Sequence, residues 1–271
     1  MNITLGKPLA VSDKGRRGNN EDSIFPLSEI VSSADRLYMV CDGVGGASRG
    51  EVASSMACDV INSFFCTFLK GDPDVDFVNK AVQYVETCFD TYTSDYPEAI
   101  GMATTLALAY IMPSAVLIAH IGDSRIYHLR KGKILYRTED HSLVNSWLKL
   151  GLITQEEAIN HPKKNVILRA IQGKKRPTEA EVSIITDVQA GDIFLLCSDG
   201  VVESFTDEEL ESLFSTRCPL ENYKEILVEK CLQKSRDNFS FYLLPVESVV
   251  KTESLKPVSY THLTLPTIYA V

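Results

Sequence analysis

The chain has 271 residues, 45% of them hydrophobic and 23% charged, the balance of an ordinary globular protein able to bury one large core. No apolar run is long enough to cross a bilayer, and residues 1–10 lack the basic-then-apolar layout of a secretory signal. A net charge of −9, with basic patches only at Lys163, Lys164 and 174–176, argues against a nucleic-acid surface. A soluble, cytoplasmic protein is expected. Seven dispersed cysteines (41, 58, 66, 88, 197, 218 and 231) without a C-x-x-C pair read as reduced thiols, not as a zinc site.

In chain order, the first strong strand is 37–41, which runs into Asp42-Gly43-Val44-Gly45-Gly46. A helix is expected over 49–69, its face formed by Val52, Ala53, Met56, Ala57, Val60, Ile61, Phe64, Phe65 and Phe68. Gly71 and Pro73 end it, and a second amphipathic helix buries Phe77, Val78, Ala81, Val82, Val85, Cys88 and Phe89. Strands follow at 104–111 and 115–121. After Gly122-Asp123-Ser124, strands 125–129 and 133–137 form a hairpin across a basic turn. Residues 141–173 read as helical and polar, with Thr154 and Glu157 as a capping box. Strands return at 181–185 and 192–197. Thr206 and Glu209 cap a short helix, a longer helix covers 221–234, and 239–244 closes the fold.

Hairpin-linked strands between helix pairs, without regular β-α-β alternation, give an α+β fold of mainly antiparallel sheets. Residues 1–247 form one domain, with 141–173 as an inserted helical flap. Residues 248–271 have no periodicity or caps and are expected to be unstructured or artefactual; 258–267 resembles translated adapter sequence.

The chemistry lies in a recurring pattern. Residues 38–43 and 194–200 each carry an apolar strand to an aspartate followed by glycine, Asp42-Gly43 and Asp199-Gly200. Asp123 after Ile121-Gly122 is a third case, Asp237 precedes Asn238 just before the last strand, and Glu21-Asp22 precedes 23–25. A single Asp-Gly is ordinarily a turn. Several gathered together are not: two carboxylates ~4 Å apart repel by roughly 4 kcal/mol at an effective dielectric near 20. They must hold protons or bind cations, and an all-oxygen ligand set suits Mg²⁺ or Mn²⁺ rather than Zn²⁺.

The segments 12–22, Val40-Cys41-Asp42-Gly43-Val44-Gly45-Gly46, Ala103-Thr104-Thr105, Ile121-Gly122-Asp123-Ser124-Arg125, Asp140-His141-Ser142, Cys197-Ser198-Asp199-Gly200 and Asp237-Asn238-Phe239-Ser240 occur in an order that resembles the motif series of metal-dependent serine/threonine protein phosphatases of the 2C type, especially the bacterial branch. The resemblance implies a four-layer α-β-β-α sandwich with a binuclear Mn²⁺ or Mg²⁺ centre at one end. It implies that Asp42 bridges two ions, that the Gly43 carbonyl binds one, and that Asp199 and Asp237 complete the other. Glu21 and Asp22 would act through waters, Asp123 with Asp199 would hold a weaker third ion, and Arg17 would clamp the substrate phosphate, as its bidentate fork allows. Residues 141–173 resemble the family's substrate-contacting flap.

On that resemblance, two dications would acidify a shared water for in-line attack on phosphorus, while the metals and Arg17 would neutralise the phosphoryl oxygens. Cys41 and Cys197 are then packing residues. Three positions depart from the pattern: Val44 where some members have histidine, Ala103 where glycine is usual, and His120 where asparagine is common. His120 reads as a satisfied polar core residue, His128 and His161 as unremarkable, and Trp147 as flap packing. Expected substrates are phosphorylated proteins, targets of a Ser/Thr kinase, and a monomer is expected. The rival readings are a regulatory pseudophosphatase, which would lack a metal aspartate, a small-phosphomonoesterase, and a nuclease, which the acidic balance disfavours.

Overall fold

The computed structural model describes residues 2–44, 49–159 and 161–250. Gly45 and Gly46 of the glycine motif, and residues 251–271, lie outside the described residues.

The strands are β1 (Asn2–Leu5), β2 (Leu9–Asp13), β3 (Asp22–Phe25), β4 (Leu37–Val44), β5 (Ala103–Thr104), β6 (Leu106–Ile111), β7 (Val116–Ile121), β8 (Arg125–Arg130), β9 (Lys133–Arg137), β10 (Glu181–Ile185), β11 (Ile193–Cys197) and β12 (Phe239–Val250). The α-helices are α1 (Gly50–Phe68), α2 (Val75–Asp95), α3 (Leu143–Lys149), α4 (Gln155–Ile159), α5 (Asp199–Ser204), α6 (Asp207–Ser215) and α7 (Leu220–Lys234). One six-stranded sheet runs β1-β12-β11-β8-β9 with β2 beside β12, and the other runs β10-β7-β6-β4-β3 with β5 beside β4. The paired strands are antiparallel throughout.

Why the sheets stack is written in the strands' two-residue period. In β4, Tyr38 and Val40 face the core between the sheets with Ile118, Phe194 and Tyr242, while Leu37, Met39 and Cys41 face α1 and α2. In β11, Phe194 and Leu196 point inward, and Leu195 and Cys197 pack under α5, α6 and α7 with Phe214 and Leu227. Strands apolar on both faces must be covered on both faces. The result is the expected α-β-β-α sandwich.

Local signals hold at the helix ends. Asp74 accepts from the Phe77 amide at the start of α2, and Thr206 with Glu209 forms a capping box on α6. Thr154 and Glu157 exchange the same pair of bonds ahead of α4. Three expectations change. Residues 161–173 are turns and two isolated bridges, Ser142 to Ile167 and Thr104 to Ile171, rather than helix; backbone pairing to the body of the protein replaces the helical ladder. The last strand continues past residue 247 to Val250, because β1 supplies partners for Ser248, Val249 and Val250. Phe68 is more than half exposed, its ring lying tilted against Phe64 at the end of α1. Among the described residues no helix is long and apolar enough to cross a membrane.

A candidate metal centre at one end of the sandwich

The topology gathers the acids. β4 and β11 belong to different sheets, and each delivers its aspartate at one edge of the sandwich. Asp42 is near the end of β4, and Asp199 opens α5 just after β11. Asp22 begins β3 directly opposite Asp42 in the antiparallel register. Asp123 sits in the turn that carries the chain from β7 in one sheet to β8 in the other, and Asp237 immediately precedes Asn238 and β12. The five aspartates therefore come together although they are remote in sequence.

Their electrostatics agree with that placement. Burial, then the charges of Asp199, Asp22, Asp123 and Asp237, hold Asp42 well above the usual carboxylate range. Burial and the Asp237 charge push Asp199 up to about 6, against a hydrogen bond from Asp42. Burial pushes Asp22 up to about 7 in spite of hydroxyl donors from Ser198 and Ser240. Burial and the charge of Asp199 push Asp123 up to about 8. Burial and nearby Glu51 also raise Glu21. The Oδ1 atom of Asp199 is buried with no hydrogen-bond partner among the described residues. A set of mutually repelling carboxylates, Asp22 buried and Asp42, Asp123 and Asp199 half-buried, with an unpartnered oxygen on Asp199, is suited to hard dications with oxygen preference, so the residues present fit Mn²⁺ or Mg²⁺.

The backbone around Asp42 is clamped. Its amide donates to Thr105 Oγ1 at 3.0 Å, and its carbonyl accepts from the Thr105 amide and Thr104 Oγ1, both at 2.9 Å. Thr105 Oγ1 in turn meets Ser124 Oγ at 2.7 Å, tying Asp42 to the turn that holds Asp123. Gly43 donates to the Glu21 carbonyl at 3.0 Å, and a Cβ on Gly43 would lie 2.3 Å from the Gly50 carbonyl oxygen, so only glycine fits there. Asn238 completes the frame. Its Oδ1 accepts from the Glu21 amide, and its Nδ2 donates to the carbonyls of Lys14 and Asn19. Ser198 Oγ donates to Asp22 at 2.7 Å. Thr104, Thr105, Ser198 and Asn238 all stood inside the motifs, but only their hydrogen bonds reveal that they orient the acids.

Arg17 lies on the solvent side of the cluster and donates from Nη2 to Asp237 Oδ2 at 2.6 Å. That bond, with the Asp237 charge, raises the Arg17 pKa further above its ordinary value. Val44 is half-buried at the end of β4, paired with Ala103, so neither departure disturbs the ladder. His120 is a correction. Its Nε2 meets the Glu139 carbonyl at 2.9 Å, but its Nδ1 is buried without a partner among the described residues, so the ring is only half satisfied. His128 is not unremarkable either, since it pairs with buried Asp192 at 2.7 Å. Trp147 meets His161 edge to face within the flap.

Comparison with known proteins places this geometry. The family model described as protein phosphatase 2C matches residues 14–234. The serine/threonine phosphatase Stp of Listeria innocua is 33% identical over 225 residues, covering 81% of this chain and 87% of that protein. The protein phosphatase PhpP of Streptococcus pneumoniae is 33% identical over 220 residues, covering 79% and 85%. Among solved structures, the Mycobacterium tuberculosis phosphatase PstP superposes with a TM-score of 0.78 at 31% identity, over 90% of this chain and 99% of that one. The catalytic domain of PstP in complex with two manganese ions gives a TM-score of 0.76 at 30% identity, over 91% and 100%. The chain belongs to the protein phosphatase 2C family.

Proposed function

We propose that Asp42, the Gly43 carbonyl, Asp199 and Asp237 hold two Mn²⁺ or Mg²⁺ ions, that Glu21 and Asp22 support them, that Asp123 with Asp199 takes a weaker third, and that Arg17 grips the substrate phosphate. The chain is a metal-dependent protein serine/threonine phosphatase, hydrolysing phosphoserine and phosphothreonine in proteins. The observation that carries the site assignment is that Asp42 and Asp199, delivered by different sheets, are held well up from the usual carboxylate range by burial and by the charges of the neighbouring aspartates.

When bound, the two ions supply Lewis acidity toward the phosphoryl oxygens and make water acidic enough to attack near neutral pH. The protein's own residues do the rest. Thr104 and Thr105 hold the Asp42 backbone in place at the end of β4, which sets where its carboxyl group starts from. Ser198 fixes Asp22. Arg17 presents a planar fork at the rim beside Asp237, which would hold one of the ions, so the fork would lie within reach of a phosphate bound there. Val44 has no proton to give to the departing alkoxide, so another group or a water at the site supplies it. Cys41 and Cys197 are fully buried thiols beneath the site. A hydrogen bond with Cys58 and then burial raise the Cys41 pKa, and burial raises that of Cys197, which suits packing rather than nucleophilic attack.

The substrates we propose are proteins phosphorylated by a Ser/Thr kinase, met in the cytoplasm by a monomeric enzyme. A pseudophosphatase would lack a metal aspartate, and Asp42, Asp123, Asp199 and Asp237 are all present. The test is hydrolysis of a phosphothreonine peptide by the full chain. It requires Mn²⁺ or Mg²⁺ and disappears with EDTA and in Asp42→Ala; hydrolysis surviving either treatment refutes the assignment.

A further inference from the structure

We infer that His120, His141 and Glu181 form a second cation site, selective for imidazole-preferring dications such as Zn²⁺ and built from none of the residues of the aspartate cluster. One ring nitrogen of each histidine and one carboxylate oxygen of Glu181 lie within 4.8 Å of one another. The sheet makes the grouping. His120 on β7 faces Glu181 on β10 directly across the antiparallel ladder, and the flap's first residues bring His141 over the His120 ring at 4.5 Å between centroids.

His120 is prepared as a ligand. Its Nε2 meets the Glu139 carbonyl at 2.9 Å, which places the proton on that nitrogen. Nδ1 then carries a lone pair, buried and unpartnered, in a residue only 1% exposed. A ring whose second nitrogen donates to a carbonyl is the usual arrangement of a metal-binding histidine. The other two residues open the site outward: the His141 side chain is 9% exposed and that of Glu181 51%. Two imidazoles and a carboxylate, with a side open to water, match the three-ligand pattern of Zn²⁺ sites, whereas Mg²⁺ prefers oxygen alone. Burial, the largest cause, lowers the His141 pKa, which favours the neutral ring that a cation needs.

Loading has a definite cost in hydrogen bonds. His141 Nδ1 accepts from the Gly122 amide at 3.2 Å, so its proton sits on Nε2, facing Glu181 Oε2 at 3.4 Å. A cation at Nε2 takes that place, and the proton moves to Nδ1 without net release. The ring swings out of its stack and the Gly122 amide loses its acceptor. Gly122 adjoins Asp123, so the amide of residue 122 reports on occupancy.

The experiment titrates the full chain with Zn²⁺ in excess Mg²⁺, by calorimetry and by the amide resonance of Gly122. Wild type binds zinc that magnesium does not displace, and the Gly122 resonance moves. His120→Asn, which restores the residue common at this position among resembling sequences, weakens that binding by at least ~10-fold, and so does the exposed variant Glu181→Gln. The Gly122 response vanishes in both. Equal zinc affinity and stoichiometry in wild type and both variants, or no magnesium-resistant binding in wild type, overturns the site.

Discussion

Asp22 and Asp42 face each other across the β3–β4 ladder, two carboxyl groups on neighbouring antiparallel strands in a buried end of the sandwich. Like charges placed so would destabilise a sheet, and the protein answers by raising both. Burial lifts Asp22 to about 7 and holds Asp42 well above the usual carboxylate range, while Asp199 and Asp123 rise to about 6 and about 8. These protons make the metal-free protein and the metal-loaded protein respond oppositely to pH.

In the unfolded chain these carboxyl groups titrate near ~4. Because their folded values are raised, the metal-free fold binds more protons than the unfolded chain between about pH 4 and pH 8. Its stability is greatest at the low end of that window and falls as pH rises through the folded values. The metal-free Tm should therefore drop by at least about 5 °C from pH 5 to pH 8 in thermal melts with EDTA. Mn²⁺ should abolish the drop and bind more tightly as pH rises, with protons released in calorimetry. A metal-free Tm that climbs steadily to pH 8 would contradict the buried cluster.

Thr105 joins the two halves of the site, accepting from the Asp42 amide and meeting Ser124 Oγ. Thr105→Val keeps the shape but leaves that amide buried and unpaired, at a cost of about 1–3 kcal/mol. The variant should fold with a lower Tm and lose roughly 10- to 100-fold in Mn²⁺ affinity or kcat, as other supports of metal ligands do. Wild-type affinity and turnover together would show that Asp42 needs no backbone clamp.

Arg17 is mostly exposed, so its role is recognition rather than stability. Arg17→Ala should reduce kcat/KM on a phosphothreonine peptide by about 100-fold while changing the Tm by less than about 1 °C. Arg17→Lys should recover little, because an ammonium cannot offer two parallel donors. Steady-state kinetics on both variants decide it; full rescue by lysine would reduce Arg17 to a point charge.

Far from the acids, Asp192 is fully buried and accepts from His128 Nε2 and Arg130 Nε, each at 2.7 Å. Burial raises its pKa, but the hydrogen bonds from His128, Arg130 and the Gln189 amide win and hold it at about 2. This pair contributes stability above the unfolded value near ~4 and loses it as pH falls toward 2. Asp192→Asn should destabilise the fold by about 3 kcal/mol in urea titrations and flatten that acid limb. Activity per folded molecule should stay the same.

Fold class, most elements and the identity of the acids are legible in the order of residues alone. Unbroken apolar runs in 37–41 and 193–197 specify strands covered on both faces, and Asp42, Asp123, Asp199 and Asp237 stand in motifs whose order is legible without coordinates. Those are local properties, carried by a period or a short spacing. Tertiary structure alone decided which groups meet. β1 and β2 are short and weakly patterned, and they become strands because β12 offers them a ladder. Residues 161–173 give up helix because Thr104 bonds Ile171 in both directions. The half-satisfied His120, the buried Asp192 pair and the clamp on Asp42 depend on contacts between residues distant in sequence. Hydrogen bonds and pKa shifts fall off within a few ångströms, and only a folded chain sets distances that short.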